Sequence, residues 1–260
     1  GDLTASGEIE NVKPFSENVN TKYHDAFVSF STDLKEVYFT SNDKVNRRIK
    51  SKSVKIFKAT IAENGEWKNL ENLPFNSDGH DAGHPFISRD GERIYFVSDM
   101  PGTLGDKDIF YVEIKNGYYG KPINLGPTVN SPYKEYTPYI DGDLIYFSSN
   151  RKGGEGGLDV YVTKLDGSIP KPINLGSTIN SKRDDFSFII NSEKLQGYFS
   201  SNRDGGEGDD DIYTFVQKTT IALCDQSVAG IVKDKITGLT VQNALVTLID
   251  GGGKKLRTVS

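Results

Sequence analysis

The sequence predicts an all-β fold, a β-propeller of four-stranded antiparallel blades, and three observations carry that prediction. A Tyr-Phe pair recurs at positions 38, 95, 146 and 198, so a unit of 51 to 57 residues is repeated four times. In the last three units an Asp follows the Phe twelve residues later and opens a second strand: Asp108-Ile109-Phe110, Asp159-Val160-Tyr161 and Asp211-Ile212-Tyr213. The strands are short and no helix-length apolar period appears. Self-similarity at roughly 40 to 50 residues with these features marks a propeller blade.

Each unit opens with an acidic residue before its innermost strand: Asp25, Asp81, Glu135 and Asp185. The innermost strands of a propeller face the central channel, so these four admit two readings. They form a ring at one channel mouth, or they accept hydrogen bonds from turn amides. The Tyr-Phe strand comes second and ends in a polar turn, Ser149-Asn150-Arg151 in one unit and Ser201-Asn202-Arg203 in the next. Asp108, Asp159 and Asp211 beyond that turn read as caps of nearby backbone amides, with Asn150, Arg151, Asn202 and Arg203 serving the same loop. These are scaffold residues first.

The third strand ends at Asn64-Gly65, Asn116-Gly117 or Asp166-Gly167. Such pairs tolerate positive φ at both central positions and close a type I′ hairpin. Eight residues beyond each Gly stands Leu73, Leu125 or Leu175, twice within Pro-Ile-Asn-Leu-Gly, which reads as the outer strand. The repeats therefore cover 25–76, 81–130, 133–180 and 183–216, within a propeller spanning 1–216. The last repeat lacks its outer strand. Residues 1–20 supply the matching half, since Phe15 follows Gly7 by eight and Asn20 follows Phe15 by five, as Asn130 follows Leu125. They either complete the last blade, leaving no open sheet edge, or are the remnant of an earlier blade in a longer parent.

From about 217 the pattern breaks. A linker over 217–227 leads to two alternating stretches, Val228–Asp234 and Ala244–Asp250, around Thr237-Gly238. They read as the start of a β-sandwich-like segment over 228–260, too short to bury an independent core.

Composition narrows the function. Aromatics at 11% suit blades packed by Tyr and Phe. A net charge of −5 without a dense basic face argues against nucleic acid. Arg47, Arg48, Lys50 and Lys52 make a basic loop in the first repeat, either solvated or touching an acidic partner. No run approaches 18 apolar residues, so no transmembrane helix is expected. The lone Cys224 has no partner in the chain for a disulfide. His80 and His84 are four apart, but Gly83 and Pro85 break the helix a metal pair would need. There is no Gly-x-Ser-x-Gly elbow and no phosphate loop. The acidic turn from Asp204 to Asp211 lacks EF-hand spacing. The residues imply no catalytic group, no metal site and no cofactor.

Tyr-Phe-Ser-Ser-Asn-Arg-x-Gly-Gly with Asp-Ile-Tyr resembles the WD-like repeat of TolB-type propellers over residues 25–216. Gly230, Val232, Thr237-Gly238, Ala244 and Val246 resemble the start of a carboxypeptidase-regulatory-like domain. That order is similar to the middle of PorE-type, OmpA-family proteins. The resemblance implies a non-enzymatic periplasmic scaffold, associated with the outer membrane and with type IX secretion or gliding machinery. Its partner would be an outer-membrane or periplasmic protein. Peptidoglycan would be bound only through a domain outside this sequence. The alternative is a propeller whose channel takes a small ligand, a glycan or Ca²⁺.

Overall fold

The structure is a computed structural model that describes residues 2–4, 9–12, 25–41, 53–193, 195–219, 221, 230–249 and 255–259. The chain forms two compact units, Gly1–Leu223 and Cys224–Ser260.

The first unit is all-β. A short hairpin, β1 (Asp2–Leu3) with β2 (Ile9–Glu10), precedes four antiparallel sheets. Blade 1 is β3 (Asp25–Phe30), β4 (Glu36–Ser41), β5 (Lys55–Ile61) and β6 (Trp67–Asn72), paired in that order. Blade 2 contains β7 (Ala82–Ile87), β8 (Arg93–Ser98) and β9 (Asp108–Lys115). Both β10 (Tyr118–Tyr119) and β11 (Ile123–Asn124) pair with β9. Blade 3 is β12 (Glu135–Asp141), β13 (Leu144–Ser149), β14 (Asp159–Lys164) and β15 (Ile173–Asn174). Blade 4 has β16 (Asp185–Asn191), β17 (Gln196–Ser201) and β18 (Asp211–Val216), with no outer strand among the described residues. Four meandering sheets in this order make a four-blade β-propeller.

The alternating apolar residues of the middle strands explain the packing. Ile56 of β5 is fully buried with Ile94, Phe96 and Phe110 of blade 2. Ile109 of β9 is likewise buried with Ile145, Phe147 and Tyr161 of blade 3. Val160 of β14 is buried with Phe188 and Phe199 of blade 4. Each such side chain stabilises the fold by about 1.5–3 kcal/mol relative to exposure. Ile212 holds the same register on β18 and is 66% exposed, because among the described residues no further blade covers it.

The outer strands are held by one repeated device. The Asn130 side chain accepts from the Ile109 amide at 2.8 Å and donates to the Ile109 carbonyl at 2.9 Å. Asn180 does the same to Val160 at 2.7 and 3.0 Å, and Asn76 to Ile56 at 3.1 and 2.6 Å. A carboxamide carries a donor and an acceptor side by side, so it mimics a neighbouring strand's backbone.

In the second unit β19 (Val246–Ile249) pairs antiparallel with β20 (Lys255–Val259). Lys233 bridges Thr240 around a turn in which Asp234 accepts from the amides of Ile236 and Thr237. In the stretch expected as a strand over 228–234, residues 228 and 229 lie outside the described residues, and Lys233 alone is bridged.

Candidate functional site

One feature of the inner strands was not legible in the sequence. Phe27, His84, Thr137 and Ser187 each stand two residues after the start of an inner strand, and each has φ between 49° and 53°. None is glycine, so each adopts an unfavourable left-handed backbone. At each of them the strand register shifts, between Ala26 and Val28, Gly83 and Phe86, Tyr136 and Tyr139, and Phe186 and Ile189. These are β-bulges, which turn a side chain aside from the sheet. Hydroxyls of the preceding blade hold two of them. The His84 amide donates to Thr40 Oγ1 at 3.0 Å, and the Ser187 amide to Thr137 Oγ1 at 3.2 Å.

The four bulges line one concave groove of about 590 Å³ at the inner strands. Its walls are mainly apolar and include Phe27, Val28, Phe86, Tyr139, Ile189 and Ile212. Val28, Ile189 and Ile212 are each roughly half exposed or more. The His84 ring lies 3.8 Å from that of Phe27 and 5.4 Å from that of Tyr136. Enclosure, reinforced by the nearby Lys107 charge, lowers its pKa to about 3, so the imidazole is neutral near pH 7. Its Nδ1 is buried and makes no hydrogen bond among the described residues. The signal that could have revealed these residues is positional: they share one offset from the strand start.

Two of the four predicted acidic residues are placed differently from a channel-mouth ring. Glu135 and Asp185 are fully buried. Glu135 accepts from Arg151 Nη2 at 3.0 Å, from the Ser131 amide at 3.0 Å and from the Ser149 hydroxyl at 2.9 Å. Asp185 accepts from Arg203 Nη2 at 2.7 Å and from the Ser181 amide at 2.5 Å. A carboxylate without solvent access is not a contact for a partner, which corrects the ring reading for both. Burial acts to raise the Glu135 pKa, against the hydrogen bonds and the Arg151 charge.

Asp81 is also out of register with these two. Ala82 opens β7 opposite Ser98, as Glu135 opens β12 opposite Ser149 and Asp185 opens β16 opposite Ser201. Asp81 instead matches Asp184. It accepts from the Val54 amide at 2.9 Å and Lys107 Nζ at 2.8 Å, as Asp184 accepts from the Leu158 amide. Burial works to raise the Asp81 pKa, yet these bonds outweigh it and hold the carboxyl low. Asp25 opens β3 opposite Ser41.

The turn residues form a repeated lattice. Asp108 accepts from the Leu104 amide at 2.7 Å, Asp159 from Glu155 at 2.7 Å and Asp211 from Glu207 at 2.9 Å. Asn150 accepts from the Lys134 amide and Asn202 from the Asp184 amide. Arg151 also lies over the rings of Phe147 and Tyr161 at 5.0 and 4.9 Å, and Arg203 over Phe199 and Tyr213 at 4.9 and 4.7 Å. Arg47, Arg48, Lys50 and Lys52 lie outside the described residues. Among the described residues no three His, Cys, Asp or Glu side chains gather as metal ligands, and no helix is long and apolar enough to cross a membrane.

No model of a known protein family matches the chain, and no curated protein sequence matches it. Among solved structures the fold is similar to that of TolB from Acinetobacter baumannii, at 14% identity and a TM-score of 0.50. That match covers 78% of this chain and 44% of the TolB chain, so this chain spans less than half of it. A putative TolB from Agrobacterium tumefaciens matches at 14% identity, with a TM-score of 0.41 over 75% of this chain and 78% of that one. A Mycobacterium tuberculosis puromycin-hydrolyzing peptidase matches at 15% identity, with a TM-score of 0.48 over 75% of this chain and 28% of that one. At 14% identity the likeness to the Acinetobacter baumannii protein is one of fold alone, a β-propeller.

Proposed function

We propose that this chain is a non-enzymatic protein-binding module whose inner-strand groove receives an apolar segment of a partner. The observation that carries the reading is the groove itself. Four strained bulges aim side chains into it, and Val28 and Ile189 remain exposed beside it. Exposed apolar surface gathered in one concavity is what a protein interface uses. The apolar lining suits a protein segment better than a glycan or Ca²⁺.

The resemblance to PorE-type, OmpA-family proteins supports the finer reading. On it the chain is a periplasmic, outer-membrane-associated scaffold of type IX secretion or gliding machinery. Residues 228–260 then begin a carboxypeptidase-regulatory-like domain, and Arg47, Arg48, Lys50 and Lys52 add a basic contact for an acidic partner surface. The test is capture of envelope proteins by the immobilised chain, compared with a Val28→Asp/Ile189→Asp variant. Loss of a specific captured protein in the variant supports the groove. Capture unchanged by the variant removes it.

A further inference from the structure

A second cavity, of about 610 Å³, lies where the turns of blades 2 and 3 meet. Its charged lining is Arg151, Lys152 and Lys171, its polar lining includes Tyr161, and Pro132 and Pro172 are among its apolar walls; no carboxylate lines it. Lys152 and Lys171 are exposed and have no ion-pair partner among the described residues. Arg151 commits Nε and Nη2 to Ser149, Val129 and Glu135, which leaves Nη1 unassigned. Two acids stand behind the lining. Glu135 is paired with Arg151, and Asp159 is held through Oδ2 by the Glu155 amide and Asn174, while its buried Oδ1 has no hydrogen-bond partner among the described residues. Three cations therefore outweigh them.

The Tyr161 side chain is 4% exposed, and its buried hydroxyl finds no acceptor among the described residues. Asn174 beside it donates to Asp159 and accepts from the Gly176 amide and the Asn180 side chain. It also acts on the Tyr161 oxygen as a donor, so it is the hydroxyl's own hydrogen that has no acceptor. The fold does not need that hydroxyl. At the same register in blade 2, Phe110 pairs with Phe96 as Tyr161 pairs with Phe147, and Met100 stands where Arg151 stands. A buried donor without a partner beside unpaired cations is an arrangement for an incoming anion.

We propose that this cavity binds a small organic carboxylate. The carboxylate accepts from Arg151 and Tyr161, the two lysines supply charge at the rim, and the prolines take the ligand's body. The chemistry is shared by a sugar acid and by a peptide C-terminus, so the test has two arms. Glucuronate is compared with glucose, and N-acetyl-dialanine with its C-terminal amide, by titration into isotope-labelled protein followed by NMR. We expect at least one carboxylate to bind saturably, and its uncharged counterpart at least ten-fold more weakly. The responding arm identifies the ligand's body. Lys152→Ala/Lys171→Ala should weaken binding about ten-fold. Tyr161→Phe should weaken it several-fold with the melting temperature unchanged, since phenylalanine already fills that register in blade 2. Absence of saturable binding in both arms, equal binding of charged and uncharged probes, or wild-type affinity in the lysine variant would overturn the proposal. Val28→Asp/Ile189→Asp leaves this binding intact, so failure here is separable from failure of the groove.

Discussion

Arg151 Nη2 lies 3.0 Å from Glu135 Oε1, and the carboxylate it meets is fully buried. The contact repeats one blade on, with Arg203 Nη2 at 2.7 Å from the buried Asp185. In blade 2 both members are absent together, with Ala82 at the acid's register and Met100 at the arginine's. A buried carboxylate without its cation is costly, whereas an apolar pair of similar volume is tolerated.

Removing one member should therefore cost far more than exchanging both. We expect Arg151→Met alone to destabilise by about 3 kcal/mol or more, and Glu135→Ala/Arg151→Met to recover at least about 1 kcal/mol of that. Urea unfolding of the two singles and the double closes the cycle. Additive losses would show that the two side chains do not act as a pair.

The asparagine device gives a second prediction, and it extends to the N-terminal segment. Asn130→Ala leaves the Ile109 amide and carbonyl without their side-chain partner, and should cost about 2–4 kcal/mol. We propose that residues 1–20 supply the outer half of blade 4, with Asn20, which lies outside the described residues, acting in the same way. Asn20→Ala should then cost about as much, measured by thermal unfolding. A neutral Asn20→Ala beside a damaging Asn130→Ala would mean that this segment does not close the blade.

His84 sets a pH dependence whose sign follows from its lowered pKa. The unfolded chain protonates this imidazole near pH 6.5, while the folded chain resists until about pH 3. Below pH 6.5 the unfolded state thus binds the extra proton. The stability this group contributes is whole above pH 6.5 and is lost as pH falls towards 3, by at most about 1.4 kcal/mol per pH unit. His84→Asn tolerates the left-handed backbone and removes the titration. Urea midpoints between pH 7 and pH 4 should fall less steeply in the variant than in the wild type. Equal slopes would place an ionisable His84 in solvent.

The sequence revealed the blades because their punctuation is local. Asn116-Gly117 sits at the β9–β10 hairpin with both residues at positive φ, as a type I′ turn needs. At Asn64-Gly65 and Asp166-Gly167 the glycine alone is at positive φ, so those two turns depart from the type I′ expectation. The ring reading fails at Glu135 and Asp185 for a physical reason. Burial and register are tertiary properties, so Asp81 looked equivalent to Glu135 although Ala82 holds that place. The bulges stayed hidden because Phe27, His84, Thr137 and Ser187 share a backbone conformation but no chemistry. Tyr161 was legible only as a strand residue, since nothing local says that its hydroxyl ends without an acceptor.

The most direct test of the central claim is differential capture on the inner-strand groove. Wild-type chain and Val28→Asp/Ile189→Asp are immobilised at equal density, their folding is matched by circular dichroism, and both are exposed to the same detergent-solubilised envelope proteins. A binding module predicts a defined envelope protein retained by the wild type and depleted at least ten-fold on the variant. Equal retention on both surfaces, or none on either, would contradict the groove as the docking site.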